Sequence, residues 1–230
     1  MTASSHSSAG SERPAGSAGS FTRARLASFL AVLPLGVWSF IHVWNNLAAF
    51  RAADDHGAAW QAAVTEYPNP VAQLVTSIVV LLPLVLHTIW GIGRLLTARP
   101  NNARYRGYAN FKYVLQRLSA VGVFLFLGAH LWLAMLQPRL ASPTGHAELF
   151  ADISHEMRFH TPTLVVYVLG TLGVAYHLAN GLQTFAMGWG LVSSKRAVKR
   201  VEWVSMLVFV AFLGMSWAAI YAIYTNAPPA

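Results

Sequence analysis

The sequence predicts an all-α membrane protein with five transmembrane helices. Hydrophobic residues make up 55% of its 230 residues and charged residues only 10%, well under half the charged share of a soluble domain. The apolar excess falls in five blocks, each long enough to supply the roughly 20 residues that cross a hydrocarbon core. The 16 basic residues collect at the ends of these blocks, 13 of them on one side. That distribution also sets aside nucleic acid as the reason for the net charge of +8, since no soluble basic face is formed. The absence of cysteine excludes disulfides, thiolate metal sites, covalent haem attachment and cysteine nucleophiles.

Residues 1–20 are mostly Ser, Ala and Gly with little to bury and are expected to be a disordered tail; residues 21–230 are expected to form the membrane domain. Arg23 and Arg25 precede the first block, Leu26 to Phe50. A signal peptide starts similarly, but this block is too long for its apolar region and contains His42, Asn45 and Asn46. A polar loop, 51–70, leads to the second block, Val71 to Leu96, where Pro83 lies four residues before His87 and predicts a kink. The basic stretch 97–113 precedes the third block, Val114 to Leu136, which is entered through Arg117 and carries His130 near its far end. A second polar loop, 137–161, leads to the fourth block, Pro162 to Gly190, which holds His177. After a short basic loop the fifth block, Val201 to Tyr224, has no histidine.

Five spans put the two ends of the chain on opposite sides. Side A, that of residue 1, collects 13 basic residues; side B has only Arg51, Arg139 and Arg158. The positive-inside rule places side A in the cytoplasm and the C-terminal end on the outer side of a bacterial cytoplasmic membrane.

Each of the first four spans contains one histidine, spaced by 45, 43 and 47 residues. An ionisable side chain at that depth is costly and marks a site. His6, His56, His146, His155 and His160 lie in the tail or the side-B loops, where solvation explains them. Residue counts give the depths: His87 lies about 10 Å from Arg94, and His177 is at or inside the midplane from side A. His42 and His130 lie 17 and 13 residues from Arg25 and Arg117, beyond the midplane. His87 and His177 are therefore expected to share one iron, and His42 and His130 another, with the first four helices bundled around two bis-histidine haems of the b type. Gly91, Gly173 and Gly181 stand four residues from His87 or His177, on the same helical faces. Their missing side chains would let a flat macrocycle approach. Ser119 lies eleven residues before His130, on its face. Helix packing is the ordinary reason for such small residues. A proton or substrate pathway in a haem-free transporter is the rival reading. Away from their ends, however, the spans hold none of the Asp, Glu, Lys or Arg that such pathways add.

HVWNN at His42, HTIWG at His87, QRLSAVGVFLFLGAHLW around His130 and YHLANGLQT at His177, in that order over residues 21–225, resemble the single-chain di-haem cytochrome b anchor of succinate dehydrogenases and fumarate reductases. The resemblance implies the same helix pairing, second with fourth and first with third. It also implies a flavoprotein that interconverts succinate and fumarate, an iron–sulfur protein on side A, and quinone, menaquinone in most five-span members, as the redox partner in the membrane. Di-haem subunits of hydrogenases or formate dehydrogenases distribute their ligands differently, often two to one helix. Arg99, Arg104, Arg106, Lys112 and Lys195 to Arg200 are expected to face the soluble subunits or the anionic leaflet. Glu66, followed by Tyr67 and Pro68 in the side-B loop, is a candidate for exchanging quinone protons, because a partly desolvated carboxylate at the membrane edge suits proton transfer. A solvated acid capping a helix start is the plainer role for it.

Overall fold

The computed structural model describes residues 17–64, 69–97, 99, 107–141 and 149–229. Five helices in it are long and apolar enough to cross a membrane: Thr22–Asp55, Pro70–Leu96, Asn110–Ala141, Thr161–Gly188 and Lys195–Thr225. Four of them contain the matching apolar block; the fourth stops at Gly188, two residues short of the expected end at Gly190. The first helix begins at Ser17, so the last four residues of the expected tail are already helical. Residues 1–16 of that tail lie outside the described residues, as do Glu66, Tyr67, Pro68, Arg104 and Arg106.

Local chemistry sets the helix ends. The Asn69 side chain accepts from the backbone N–H groups of Val71 and Ala72, with Pro70 at the first helical position. Ser194 accepts from the N–H of Ala197 to start the fifth span. The fourth ends where Leu191 N–H donates back to the Ala186 carbonyl, with Gly190 at φ +71°, a left-handed position that suits glycine.

Three spans contain a π-helical turn, and each turn lies with a proline: Ala31–Gly36 contains Pro34, Ser77–Leu81 precedes Pro83, and Trp132–Leu136 precedes Pro138. A proline ring clashes with the carbonyl four residues back and leaves it without its usual donor, and a wider turn relieves both problems. The kink expected at Pro83 is therefore one of three such adjustments.

The first span packs on the second and fourth, the fourth on the third, and the third touches the second over a short stretch. The fifth span lies outside this ring, against the fourth and the side-B half of the first, with Phe40 edge-on to Phe212 at 5.1 Å. Between 11% and 33% of each span's apolar window is buried within the chain. The remaining apolar surface is suited to lipid, while the helices satisfy their own backbone groups. On side B, Ala58–Val64 and Leu149–Phe159 fold over the bundle end, and Trp60, Phe150, Ile153 and Met157 pack there with Ile220 and Ile223.

Candidate functional site

His87 and His177 meet in the side-A half of the bundle, ring centres 6.3 Å apart and nearly perpendicular at 73°. His87 Nδ1 lies 3.3 Å from the Ala27 carbonyl oxygen. A carbonyl only accepts, so Nδ1 carries the hydrogen and Nε2 is left with a free lone pair. His177 Nδ1 lies 3.3 Å from Ser119 Oγ. That hydroxyl donates to the Gln116 carbonyl at 3.0 Å and keeps lone pairs to accept from the ring. Gln116 adds a second tie: its Oε1 accepts from Asn180 Nδ2 at 2.8 Å, which fixes the amide, and its Nε2 lies 3.2 Å from both the His177 carbonyl oxygen and His177 Nδ1.

His42 and His130 meet deeper toward side B, ring centres 5.9 Å apart at 76°. His130 Nδ1 lies 3.2 Å from the hydroxyl of buried Tyr167, and Phe126 stacks on its ring at 5.5 Å. Trp38 stacks on His42 at 4.6 Å. His42 differs from the other three, because its polar neighbour stands at Nε2, where Asn46 Nδ2 approaches to 3.4 Å. The same amide group donates to the His42 carbonyl at 2.8 Å, while Asn46 Oδ1 accepts from Trp60 Nε1 at 3.1 Å. A side-B helix thereby orients the amide beside His42.

The two pairs stand on two levels. Ser119 is level with His177, and His130 lies eleven residues farther along the same helix, about 16 Å at a helical rise of about 1.5 Å per residue. Ser119 does occupy the face of His130, but at the level of the other pair, because the antiparallel fourth span presents His177 there and Tyr167 ten residues away. The glycines divide similarly. A Cβ at Gly91 or Gly181 would meet nothing within 4 Å, whereas one at Gly173 would touch the Ser119 carbonyl oxygen and Val123 at 3.8 Å. Gly173 therefore serves helix packing, and Gly91 and Gly181 border open space beside the side-A pair.

Among the described residues, no group of three or more His, Cys, Asp or Glu could hold a metal ion. A metal held by two imidazoles alone needs further ligands of its own, and a porphyrin supplies four in a plane. A metal held between two imidazoles, with bonds of about 2 Å, would need ring centres on the order of 6 Å apart, and the pairs stand at 6.3 and 5.9 Å. The side-A level also has buried polar atoms without hydrogen-bond partners, Arg117 Nε and Tyr176 Oη. Arg94 lies close enough to act on the charge of Arg117. Two cations beside the side-A pair suit a planar ligand that carries carboxylates. These residues fit a haem.

Sequence reasoning missed the partners that orient the rings: Ala27, Gln116, Asn180, Tyr167, and Asn46 with Trp60. Only Asn46, one helical turn after His42, had a visible signal. Gly170 was also missed: a Cβ there would overlap the Phe126 ring, so this glycine permits the approach that seats Phe126 on His130. Lys112, expected to dock a partner, instead bonds Glu202 and Gln183, both at 2.9 Å, and ties the third, fourth and fifth spans together. Nearby, Arg25 Nε donates to the Gly188 carbonyl at 3.2 Å and Trp189 Nε1 to Ser28 Oγ at 3.1 Å, joining the first and fourth.

A family described as the succinate dehydrogenase/fumarate reductase transmembrane subunit matches residues 97–216, which include one histidine of each pair. The chain is also 29% identical, over 198 residues, to the succinate dehydrogenase cytochrome b558 subunit of Bacillus subtilis (strain 168), covering 86% of this chain and 94% of that one. No solved structure matches it.

Proposed function

The chain belongs to the succinate dehydrogenase/fumarate reductase transmembrane subunit family, and from that premise we propose that it is the cytochrome b anchor of such a complex, passing electrons between the iron–sulfur subunit and membrane quinone through two bis-histidine b haems. The observation that carries this reading is the pairing of four histidines from four spans at 6.3 and 5.9 Å. A haem held by each pair would supply a one-electron iron couple.

The chain's own residues hold and orient. His87 and His177 would ligate on side A; the Ala27 carbonyl fixes the Nδ1–H of His87 and leaves its Nε2 free, and Ser119 and Gln116 hold the ring of His177. Arg94 and Arg117 would receive the carboxylates of that macrocycle. His42 and His130 would ligate on side B, between Trp38 and Phe126, which exclude water. Tyr167 holds the ring of His130. Charge distribution supports side A as cytoplasmic and as the face toward the iron–sulfur and flavoprotein subunits. Quinone, menaquinone in this proposal, reacts near the side-B pair, with Glu66 exchanging its protons.

The test is a reduced-minus-oxidised absorbance spectrum of the purified chain, alone and with each histidine replaced by alanine. Two b-type haems are expected in the wild type and one in each variant. Four variants that all kept the full two-haem spectrum would overturn the ligand assignment, and a spectrum without haem would leave a haem-free membrane protein.

A further inference from the structure

We propose that the outer face of the fifth span is a binding site for an anionic phospholipid, with Arg196, Lys199 and Arg200 holding the headgroup phosphate and Trp203 seated at the base of the headgroup. These four residues line one shallow cleft, and all four are exposed. Their spacing of three, one and three residues puts them along one side of the helix, over about 10 Å of its length. The same stripe continues downward as Leu207, Val210 and Gly214, with Leu207 69% and Val210 57% exposed. The opposite stripe, Ser205, Phe212, Ser216, Ala219 and Ile223, is buried against the rest of the bundle.

One unbroken helix face thus presents three cations, then an indole, then bare apolar side chains. That is the order in which a phospholipid presents phosphate, glycerol and acyl chain. Basic residues near a membrane surface attract anionic lipid, and tryptophan favours the interfacial layer. A soluble partner is the competing occupant. It would meet side A from above, on loop tips. Here the charges lie on the flank of a span, in line with an exposed apolar stripe of that span. Glu202, on the adjoining inner side, is hydrogen-bonded to Lys112 at 2.9 Å and feels the charge of Lys199 only through space. The inference does not depend on what the histidines bind.

The experiment is native mass spectrometry of the full chain with its soluble partners, purified in detergent and titrated separately with cardiolipin, phosphatidylglycerol and phosphatidylcholine. The wild type is expected to keep the two anionic lipids through collisional activation and to lose phosphatidylcholine. Arg196→Gln, Lys199→Gln and Arg200→Gln together should lower anionic-lipid occupancy about tenfold or more. The charge-preserving variant Arg196→Lys with Arg200→Lys should retain it, and so should Arg139→Gln with Arg158→Gln on side B. Haem content and subunit composition, recorded on the same samples, show that each variant is folded. Equal lipid occupancy in the triple variant and the wild type would overturn the proposal. So would loss of the soluble subunits from the triple variant with lipid retained, since the face would then be a protein dock.

Discussion

The two histidine pairs share a separation and a crossing angle, yet they are built from different materials. The side-A pair is positioned by hydrogen bonds: a backbone carbonyl for His87, and for His177 a hydroxyl and an amide that Asn180 fixes. Open space borders it at Gly91 and Gly181, and two arginines stand nearby. The side-B pair is positioned by packing: Trp38 and Phe126 stack on its rings, and Gly170 admits Phe126. Its polar contacts are Tyr167 at His130 and Asn46 at His42. One geometry can thus be reached through directional bonds or through shape, and the two solutions should fail in different ways.

The largest contrast comes from removing a ligand. His87→Ala or His177→Ala should abolish the side-A haem and leave the other, and His42→Ala or His130→Ala should do the reverse. Haem-to-protein ratio and low-temperature absorbance bands read both outcomes, and a variant that lost both haems together would show that the levels are not independent.

Filling space is next. Gly181→Leu begins from a Cβ with nothing within 4 Å, so the fold should persist while side-A haem content falls. Gly170→Ala forces Phe126 to move, at a cost of about 1–3 kcal/mol in stability, and should broaden the side-B band without touching side A. A thermal melt beside the spectrum separates the two; identical behaviour in both variants would erase the distinction between open and packed levels.

Removing an orienting partner should be milder. Ser119→Ala and Tyr167→Phe each take one contact from a ring nitrogen and should weaken haem retention at their own level by about tenfold, read by competition with an apo-haem acceptor. An effect of Ser119→Ala at the side-B level would contradict the placement of that hydroxyl. The smallest change expected in the haem spectra is that of Glu66→Gln. Both haems should remain, dye-linked succinate oxidation should persist, and quinone-linked turnover should fall; normal quinone turnover would remove Glu66 from the reaction.

Much of this architecture is legible in residue order because a membrane leaves few choices. A run such as 117–135 must be helical to satisfy its backbone, and counting from its basic end gives the depth of His130. Ser119 shows where counting stops. Its face follows from helical period alone, but its partner depends on how far the antiparallel fourth span has slid alongside, and no pattern within the third span encodes that. Tyr167, Gln116 and Asn180 escaped for the same reason, since each acts on a ring contributed by another residue or another helix. The π-helical turns add a second obstacle, because each changes the angular period before the chain resumes its α-helical course.

The spacing between the levels has an electrical consequence. About 16 Å is roughly half of a hydrocarbon core about 30 Å thick. Any electron that passes from one level to the other therefore traverses about half of the transmembrane voltage drop. At about 2.3 kcal/mol per elementary charge for each 100 mV, that step gains or loses on the order of 1 kcal/mol at such a voltage. With a haem at each level, as proposed, the distance from Ser119 to His130 would also be a voltage divider, and the balance of electrons between the two faces would shift whenever the membrane is energised.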